Sequence, residues 1–566
     1  MSTIIGIDLG TSTTEAAIFR NGKAEMIPNP DGVFITPSAV GIDPEGNWIA
    51  GARAKAQYPL FPENTAIEVK RKTGSGETIP IGKAQYRPVE LQSRLLSYVR
   101  GYASEYIGES VDRVVISVPA YFNDLQRRET ALAGELAGLT VERILNEPTA
   151  AALSYGLEHM DEESHVLVYD LGGGTFDVTL LEMFDGVLEV KASSGDNTLG
   201  GKDFDELLCD HLLSEFRSRH NKNLRRDRYA MVRVKEAAEQ CKVALSDQEA
   251  YRVLLPAICT IDGSPVEMDV TVNRGQFEQL AKPLMERTHA PLDQVLTDTG
   301  LSEADIDRVI LVGGSTRMPM VGRDIEDYLH ITPDPAVNPD YAVSEGVAIM
   351  AGIITGDMDE ESGLVMTDVN AFSLGVHVVD DFSNDRMSII IPRNTTIPVT
   401  RKERYYTSDD YQTEALIEVS QGESEYFSHN HPLGDFEITG IPPRARGKEA
   451  IDVAFTYDLN GILSVTATLA STGREASIKI DLFRDKPKRM DVSSWKDAEG
   501  AKKYRTLVRT AERLASQSSV SDALRERLAD SVYALKEALI LGNSEKAADM
   551  ETELKDLISE ARNDMP

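Results

Sequence analysis

Two segments of the chain repeat one pattern, and the repeat limits the folds open to it. Gly6-Ile-Asp-Leu-Gly-Thr11 stands near the N-terminus and Tyr169-Asp-Leu-Gly-Gly-Gly-Thr175 in the middle. Each follows a short apolar strand, Ile4 to Ile7 or Val166 to Tyr169, and precedes another, Glu15 to Phe19 or Val178 to Leu181. Strand, glycine turn, strand is a hairpin whose backbone N–H groups can converge on a phosphate. An Asp at each lip (Asp8, Asp170) predicts a clamp on a polyphosphate and a metal ion between two related half-domains. Gly313-Gly-Ser-Thr-Arg317, after the apolar run Val309 to Val312, supplies a third glycine turn. Thr11, Ser12, Thr13 and Thr175 can add hydroxyl donors. Taken singly, each turn reads equally well as a tight turn, and the lesser reading of each Asp is an Asx turn. Three such turns in one chain weigh against that.

Asp8, Glu147 and Asp170 are the candidate metal-site acids. Mg²⁺ sheds water reluctantly, so carboxylates near a phosphate-bound Mg²⁺ often act through its waters. The plainer reading of Glu147 is favourable charge at a helix N-terminus. Lys70, in Ile67-Glu-Val-Lys-Arg-Lys-Thr73, reads by composition alone as surface charge.

A chain of 566 residues is too long for one core, so several domains are expected. The net charge of −33 argues against nucleic acid as the main partner. No apolar run approaches the roughly 20 residues needed to cross a bilayer. Nor does the N-terminus show a basic segment followed by an apolar one, so no signal peptide is expected. The three cysteines (Cys209, Cys241, Cys259) lack metal-ligand spacing and read as buried thiols of a cytoplasmic protein.

Residues 1 to about 356 alternate strands with amphipathic helices: a strand over Val114–Val118, a helix over Gln126–Leu136, and a helix starting at Glu147 with Pro148 in its first turn. The polar stretch Gly356 to Gly363 closes this α/β region. Leu364-Val-Met-Thr-Asp368 is a short apolar segment inside an expected linker. It is either a docking element or the first strand of the next domain. Residues 369–482 change to alternating strands, with a hairpin around an Asn-Gly turn between Ile451–Tyr457 and Leu463–Ala467. Toward the C-terminus the period is helical. Leu524, Leu528, Val532, Leu535 and Leu539 form one stripe ended by Gly542-Asn543, and Ala547, Met550, Leu554 and Leu557 form a second.

These motifs, in this order, resemble the DnaK-type chaperones, the 70-kDa heat-shock protein family. The resemblance is carried by both glycine hairpins, Val118-Pro-Ala-Tyr-Phe-Asn-Asp124, Asn146-Glu-Pro-Thr-Ala-Ala-Ala-Leu153 and Leu311-Val-Gly-Gly-Ser-Thr-Arg317. Asn394-Thr-Thr-Ile-Pro398, Gln421-Gly-Glu423 and Asn460-Gly-Ile462 extend it into the β region. It implies an actin-like (ribonuclease H-like) α/β ATPase domain of two lobes over 1–356 and a linker over 357–368. An antiparallel β-sandwich peptide-binding domain over 369–482 and a short α-helical lid over 483–566 would follow.

By motif position, the resemblance makes Lys70, Glu147, Asp170, Thr175 and Asp8 the catalytic set. Asp8, Glu147 and Asp170 would order Mg²⁺ through its waters, with K⁺ as an optional second ion. ATP or ADP would be held by Gly10, Thr11, Ser12, Thr13, Gly172, Gly173, Gly174, Gly200 and Gly201. Glu239, Lys242 and Ser246 match the adenosine pocket, closed by Gly313, Gly314, Ser315, Arg317 and Asp340. Pro119, Arg127, Arg143 and Asp368 match positions that relay between domains. Val376, Val378, Val379, Tyr405, Ser408, Ala415 and Ile417 match the peptide site.

The resemblance further implies extended or unfolded polypeptide clients, a J-domain co-chaperone and a GrpE-type nucleotide-exchange factor, without nucleic acid or membrane partners. Four departures stand out. The linker reads Leu364-Val-Met-Thr367 where consecutive leucines usually precede the Asp, followed by Asn370-Ala371 in place of Thr-Pro. Ala415 replaces a larger Val, with Val379 and Ser408 at the arch positions. Thr73 to Arg87 is short. The lid is short and ends at Asp564-Met-Pro566 without an acidic tail. Together they are similar to the short-lid bacterial branch of the family, the HscC type, in the bacterial cytoplasm. The alternative is a nucleotide-bound regulator or exchange factor with a weakened cycle. A small-molecule kinase on the actin-like fold leaves residues 368–482 unexplained, and the acidic C-terminal stretch of about 200 residues weighs against a filament-forming relative.

Overall fold

The computed structural model describes residues 3–159, 162–358, 365–379, 383–479, 495, 500–515, 522–540 and 544–563. The chain divides into two compact units, 1–480 and 481–566.

The two glycine hairpins nucleate two six-stranded sheets. In the first, Ile4–Leu9 lies between Arg113–Val118, its parallel neighbour, and Thr13–Arg20, its antiparallel one. In the second, Ser164–Leu171 lies between parallel Arg308–Val312 and antiparallel Phe176–Phe184. The repeated motif thus marks a repeated strand arrangement. Both central strands are apolar and buried, as strands covered on two faces must be.

Two helices, Glu147–Glu158 and Ala342–Thr355, share one buried cluster with both sheets. Ile4, Val115 and Leu145 contribute from one sheet, and Val166, Val168 and Ile310 from the other. The helices can enter this narrow layer only where side chains are absent. A Cβ on Gly6 would lie 2.5 Å from Ala348 N, and one on Gly346 would overlap Ala150 O at 1.8 Å. Gly6, read as part of the phosphate turn, therefore serves helix packing. The outer face of the second sheet is covered by the helices Gly201–His220, Arg228–Asp247, Arg274–Thr299 and Pro319–Leu329, around Tyr169, Phe176, Phe204 and Phe216.

The segment Val365–Val369 is both of the things it could have been. Val187, Leu188 and Glu189 pair with Val365, Met366 and Thr367 in parallel, so the segment extends the second sheet. On its other edge, Asp368 and Val369 pair with Ile397 and Thr396 of the β region. That region holds two four-stranded antiparallel sheets. One runs Arg386–Ile391, Leu374–Val378, Glu414–Gln421, His431–Thr439. The other runs Val399–Tyr406, Ala450–Tyr457, Leu463–Leu469, Glu475–Lys479.

The hairpin expected at Asn460-Gly461 is present, but its turn is not a two-residue one. The last pair is Tyr457 with Leu463, and the Asp458 carboxylate accepts from the N–H groups of Asn460 and Ile462, at 2.9 Å each. An Asx staple over five residues thus replaces the tight turn, and it frees Asn460 to accept from the N–H of Ile144 at 3.3 Å.

The second unit contains the helices Ala501–Ala515, Asp522–Ile540 and Ser544–Asn563. Leu528, Val532, Leu535 and Leu539 meet Ala547, Leu554 and Leu557, so the two predicted stripes form one core, completed by Trp495, Tyr504, Val508 and Leu514. Most of the Gly356–Gly363 stretch, Leu364, the stop at Gly542-Asn543 and the Asp564–Pro566 end lie outside the described residues.

Candidate functional site

Asp8 and Asp170 are the penultimate residues of the central strands of the two sheets, each just before its glycine turn. The turns meet. A Cβ on Gly173 would fall 2.4 Å from Ser12 Oγ, on Gly174 3.0 Å from Thr11, on Gly200 2.4 Å from Gly174 N, and on Gly201 2.5 Å from Ser315 Oγ. At Gly200 the neighbour is backbone, so close approach excludes a side chain there; at Gly173, Gly174 and Gly201 the neighbouring side chains would have to move aside. Gly201 and Lys202 donate their N–H groups to the carbonyls of Gly172 and Gly173 at 2.9 Å, and Ser315 Oγ donates to Gly172 O at 2.9 Å. Gly10 also approaches closely, its missing Cβ standing 2.4 Å from Thr13 O. Gly313 has φ +84°, a value glycine accommodates readily, and its missing Cβ leaves room for Asp170 Oδ1. Gly314 lies beside Asp340.

Lys70 is not the surface charge its composition suggests. It is 5% exposed, and its Nζ bonds Glu147 Oε1 at 2.5 Å and faces the Phe122 ring at 5.6 Å. Asp8 accepts from Ser117 Oγ at 2.6 Å, and the same oxygen accepts from the N–H of Leu9. Burial pushes the Asp8 and Glu147 carboxyls up and the Asp170 carboxyl well up. Three buried acids against one lysine leave a deficit of positive charge. Thr175 lies in the turn after Asp170, its carbonyl accepting from Gly172 N–H at 3.0 Å.

Four residues that the sequence did not single out belong here. Ser117 orients Asp8. Asp177 pairs in register with Asp170. One of its oxygens accepts from Tyr121 N–H at 3.0 Å, while the other is buried without a hydrogen-bond partner. Burial, then the Glu147 charge, pushes Asp177 up to about 7. Glu15 stands across the ladder from Asp8, buried and pushed well up by burial and by Asp8; Thr13 donates to it. Asn146 precedes Glu147 and bridges to the linker. Asn146 was legible in principle, since it opens the motif Asn146 to Leu153, and Asp177 follows the second glycine turn by two residues. No sequence signal ties Ser117 to Asp8.

The orphaned Asp177 oxygen, the excess of buried acids and the glycine cradle fit a polyphosphate with a divalent cation. Among the described residues no three such side chains converge tightly enough to ligate an ion directly.

At the wider mouth, Glu239 pairs with Lys55 and Lys202, both at 3.4 Å, and these cations hold its carboxyl below the usual range despite burial. Lys242 pairs with Asp205 at 2.8 Å, and Ser246 bonds back to Lys242 O at 3.5 Å. Arg317 pairs with Asp340 at 2.5 Å. Thr11, Ser12, Lys55, Tyr58, Arg71 and Glu239 all line one cleft.

Two of the relay candidates, Arg127 and Asp368, meet at Asn146. Arg127 donates to Asn146 Oδ1 at 2.6 Å and to Ala120 O at 2.9 Å, while Asn146 Nδ2 donates to both oxygens of Asp368 at 2.9 Å. Pro119 ends the strand Arg113–Val118 and accepts from Phe122 N–H. Arg143, half-buried, acts on this hub through its charge on Asp368, and its Nη1 lies 3.6 Å from Met350 Sδ.

Among the peptide candidates, Val376, Val378, Ala415 and Ile417 lie on one face of one sheet by register, and Tyr405 reaches over from the other sheet. Val379 is 53% exposed. Ser408 is exposed, its hydroxyl turned to Asp409 at 3.0 Å.

This arrangement of mixed α/β sheets and a β-rich region fits a multidomain ATPase. A family model, Hsp70 protein, matches residues 4–80 and 75–565. The chain belongs to the Hsp70 family. The family consists of ATP-dependent chaperones that bind ATP or ADP with Mg²⁺. They work with unfolded clients, J-domain proteins and nucleotide-exchange factors. Among the described residues no helix is long and apolar enough to cross a membrane.

Proposed function

We propose that the protein hydrolyses ATP on the acids and lysine of the glycine clamp and uses the nucleotide state to switch its affinity for extended peptides. The observation that carries this is a run of adjacent contacts. Lys70 bonds Glu147, Asn146 is the next residue, and Asn146 holds Asp368 of the strand Val365–Val369. A shift at the phosphate end of this run biases the pairing of that strand, and so the β region attached to it.

In this reading residues 1–356 are the two-lobed ATPase domain, 357–368 the linker, 369–482 the peptide-binding domain and 483–566 a short lid. Lys70 steadies the γ-phosphate and the attacking water. Asp8, Glu147 and Asp170, with Asp177, orient the waters around Mg²⁺, and Thr175 closes the turn over the phosphates. Bound Mg²⁺ neutralises phosphate charge, so catalysis is positioning plus electrostatics. Glu239, Lys242, Ser246 and Arg317 hold the adenosine end. Arg127, Asn146 and Asp368 form the relay, with Pro119 and Arg143 beside it. The protein belongs to the short-lid bacterial type, acts in the cytoplasm, and uses a J-domain protein and an exchange factor.

One observation favours the regulator reading. Thr367 Oγ1 is buried in the paired strand without a hydrogen-bond partner, at a position where leucine is usual, and this weakens the docked linker. Release of a labelled extended apolar peptide, with and without Mg-ATP, separates the two readings. Faster release with ATP supports the chaperone cycle. Release that ignores ATP leaves a nucleotide-bound regulator.

A further inference from the structure

Lys70 is carried by a short 3₁₀ turn, Val69–Lys72, entered through Glu68 at φ +56°. A glutamate in the left-handed region is held there by its surroundings, not by its own preference. The turn closes where Thr73 N–H donates to Lys70 O at 3.1 Å. Thr73 is itself buried, and its hydroxyl oxygen accepts from the Gln92 side-chain amide at 3.0 Å. Gln92 stands near the start of the helix Pro88–Ile107 and is 3% exposed. A carboxamide buried to this degree is costly unless both of its polar ends are paired.

One end is not paired within the protein. Among the described residues, Gln92 Oε1 is buried without a hydrogen-bond partner. Gln92 also lines a small cavity of about 10 Å³ together with Lys70, Gly10 and Ser38, and the remaining walls are aliphatic. That is room for about one water. Ser38 supplies the second polar partner that such a water needs. Its Oγ donates to Gly10 O at 2.8 Å, which uses its one hydrogen, so in its 2.9 Å contact with Thr14 Oγ1 the threonine is the donor. One Ser38 lone pair is then left. A water between Gln92 Oε1 and Ser38 Oγ gives a hydrogen to each.

We infer that Gln92 is a positioning residue for ATP hydrolysis. Its amide holds Thr73, and so the turn that carries Lys70. Its carbonyl ties that turn, through one buried water, to Ser38 and the Gly10 carbonyl of the first glycine turn. The lysine and the backbone cradle, which must meet at the same phosphate, are thereby fixed to each other. The inference rests on the ATPase reading above and extends it to a residue outside the glycine clamp. Loosening a group that acts on the transition state lowers the rate of the chemical step more than it lowers nucleotide affinity.

The test measures single-turnover ATP hydrolysis and ATP affinity on the full chain. Gln92→Met, close in length but without either polar group, should slow hydrolysis about tenfold and leave the ATP Kd within about twofold. Thr73→Val should give a smaller fall, and Thr73→Ser, which keeps the hydroxyl, should stay within about twofold of the unaltered rate. Gln92→Met combined with Thr73→Val should match Gln92→Met alone, because both act through one contact; independent structural losses would multiply instead. A crystal structure of the unaltered protein should show one water bonded to both Gln92 Oε1 and Ser38 Oγ. A normal rate in Gln92→Met, multiplied losses in the double variant or a dry cavity would overturn the inference. Thermal unfolding checks that the variants are folded, and if Gln92→Met is not, a normal rate in Thr73→Val overturns the inference in its place. Lys70→Met is run alongside. A slow Lys70→Met beside a normal Gln92→Met sinks this inference alone. Full hydrolysis by Lys70→Met, or none by the unaltered protein, sinks the catalytic reading and this inference with it.

Discussion

Lys70 shows how little a single residue reveals outside its fold. Its neighbours in sequence, Arg71 and Lys72, are an exposed pair of cations, yet Lys70 itself is buried against Glu147, 77 positions away. Replacing Lys70 with Met removes the only cation in ion-pair contact with Glu147 among the described residues. Single-turnover ATP hydrolysis should fall by about 100-fold or more, the scale of one preorganised electrostatic group. Nucleotide binding, measured by calorimetry, should persist, and full hydrolysis by the variant would refute the assignment. Asp124 makes a different prediction. Burial pushes its carboxyl from 3.8 to about 6 against the pull of Arg128. A raised carboxyl pKa favours the folded protein while the group is protonated. That stability is fully present below about pH 4 and is lost as the pH rises through about 6. The swing is about 3 kcal/mol. Asp124→Asn should flatten urea-measured stability between pH 4 and 6, and should lower it overall because Arg128 loses its partner. An unchanged slope would show that Asp124 is not the source.

Elements were legible where the pattern is local. The glycine hairpins, the helix at Glu147 and the two leucine stripes follow from turn chemistry and periodicity alone. The Asn-Gly hairpin was legible as a hairpin, but its turn was not, because the Asp458 staple competes with the two-residue form. Helix against helix, the decisive position is Gly346. Gly346→Ala places a methyl carbon on Ala150 O, and overpacking of this severity should cost about 3 kcal/mol or more in urea unfolding. A near-neutral result would mean that the two helices separate readily. In the linker strand, Thr367→Val keeps the shape and removes the unpaired hydroxyl. It should favour the paired strand by about 1 kcal/mol, seen as greater protection of the 365–369 amides from hydrogen exchange. Lower protection would show that the hydroxyl finds a partner.

At the scale of the molecule, the two tryptophans lie in different compact units, Trp48 in one and Trp495 in the other. Trp495 is buried in the helical core with the Lys536 ammonium over its ring. A Trp48→Phe variant leaves Trp495 as the sole reporter. Its fluorescence should trace a urea transition distinct from the far-ultraviolet circular dichroism of the whole chain, because the helical unit has a hydrophobic core of its own. Coincident transitions would mean that the two units unfold as one.

The sequence by itself determined the duplicated strand–turn–strand frame, the change from α/β to antiparallel β to helical texture, and the family. These are written in short-range spacing, which the backbone reads without help. Only the tertiary structure decided which acids share a buried volume, that Ser117 and Asp177 join them, and that Val365–Val369 is shared between a sheet of the first region and the β region. Such pairings depend on chain segments far apart in sequence being packed to exclusion of water. There a missing Cβ at Gly346 or an unpaired hydroxyl at Thr367 acquires an energy that it lacks in the extended chain.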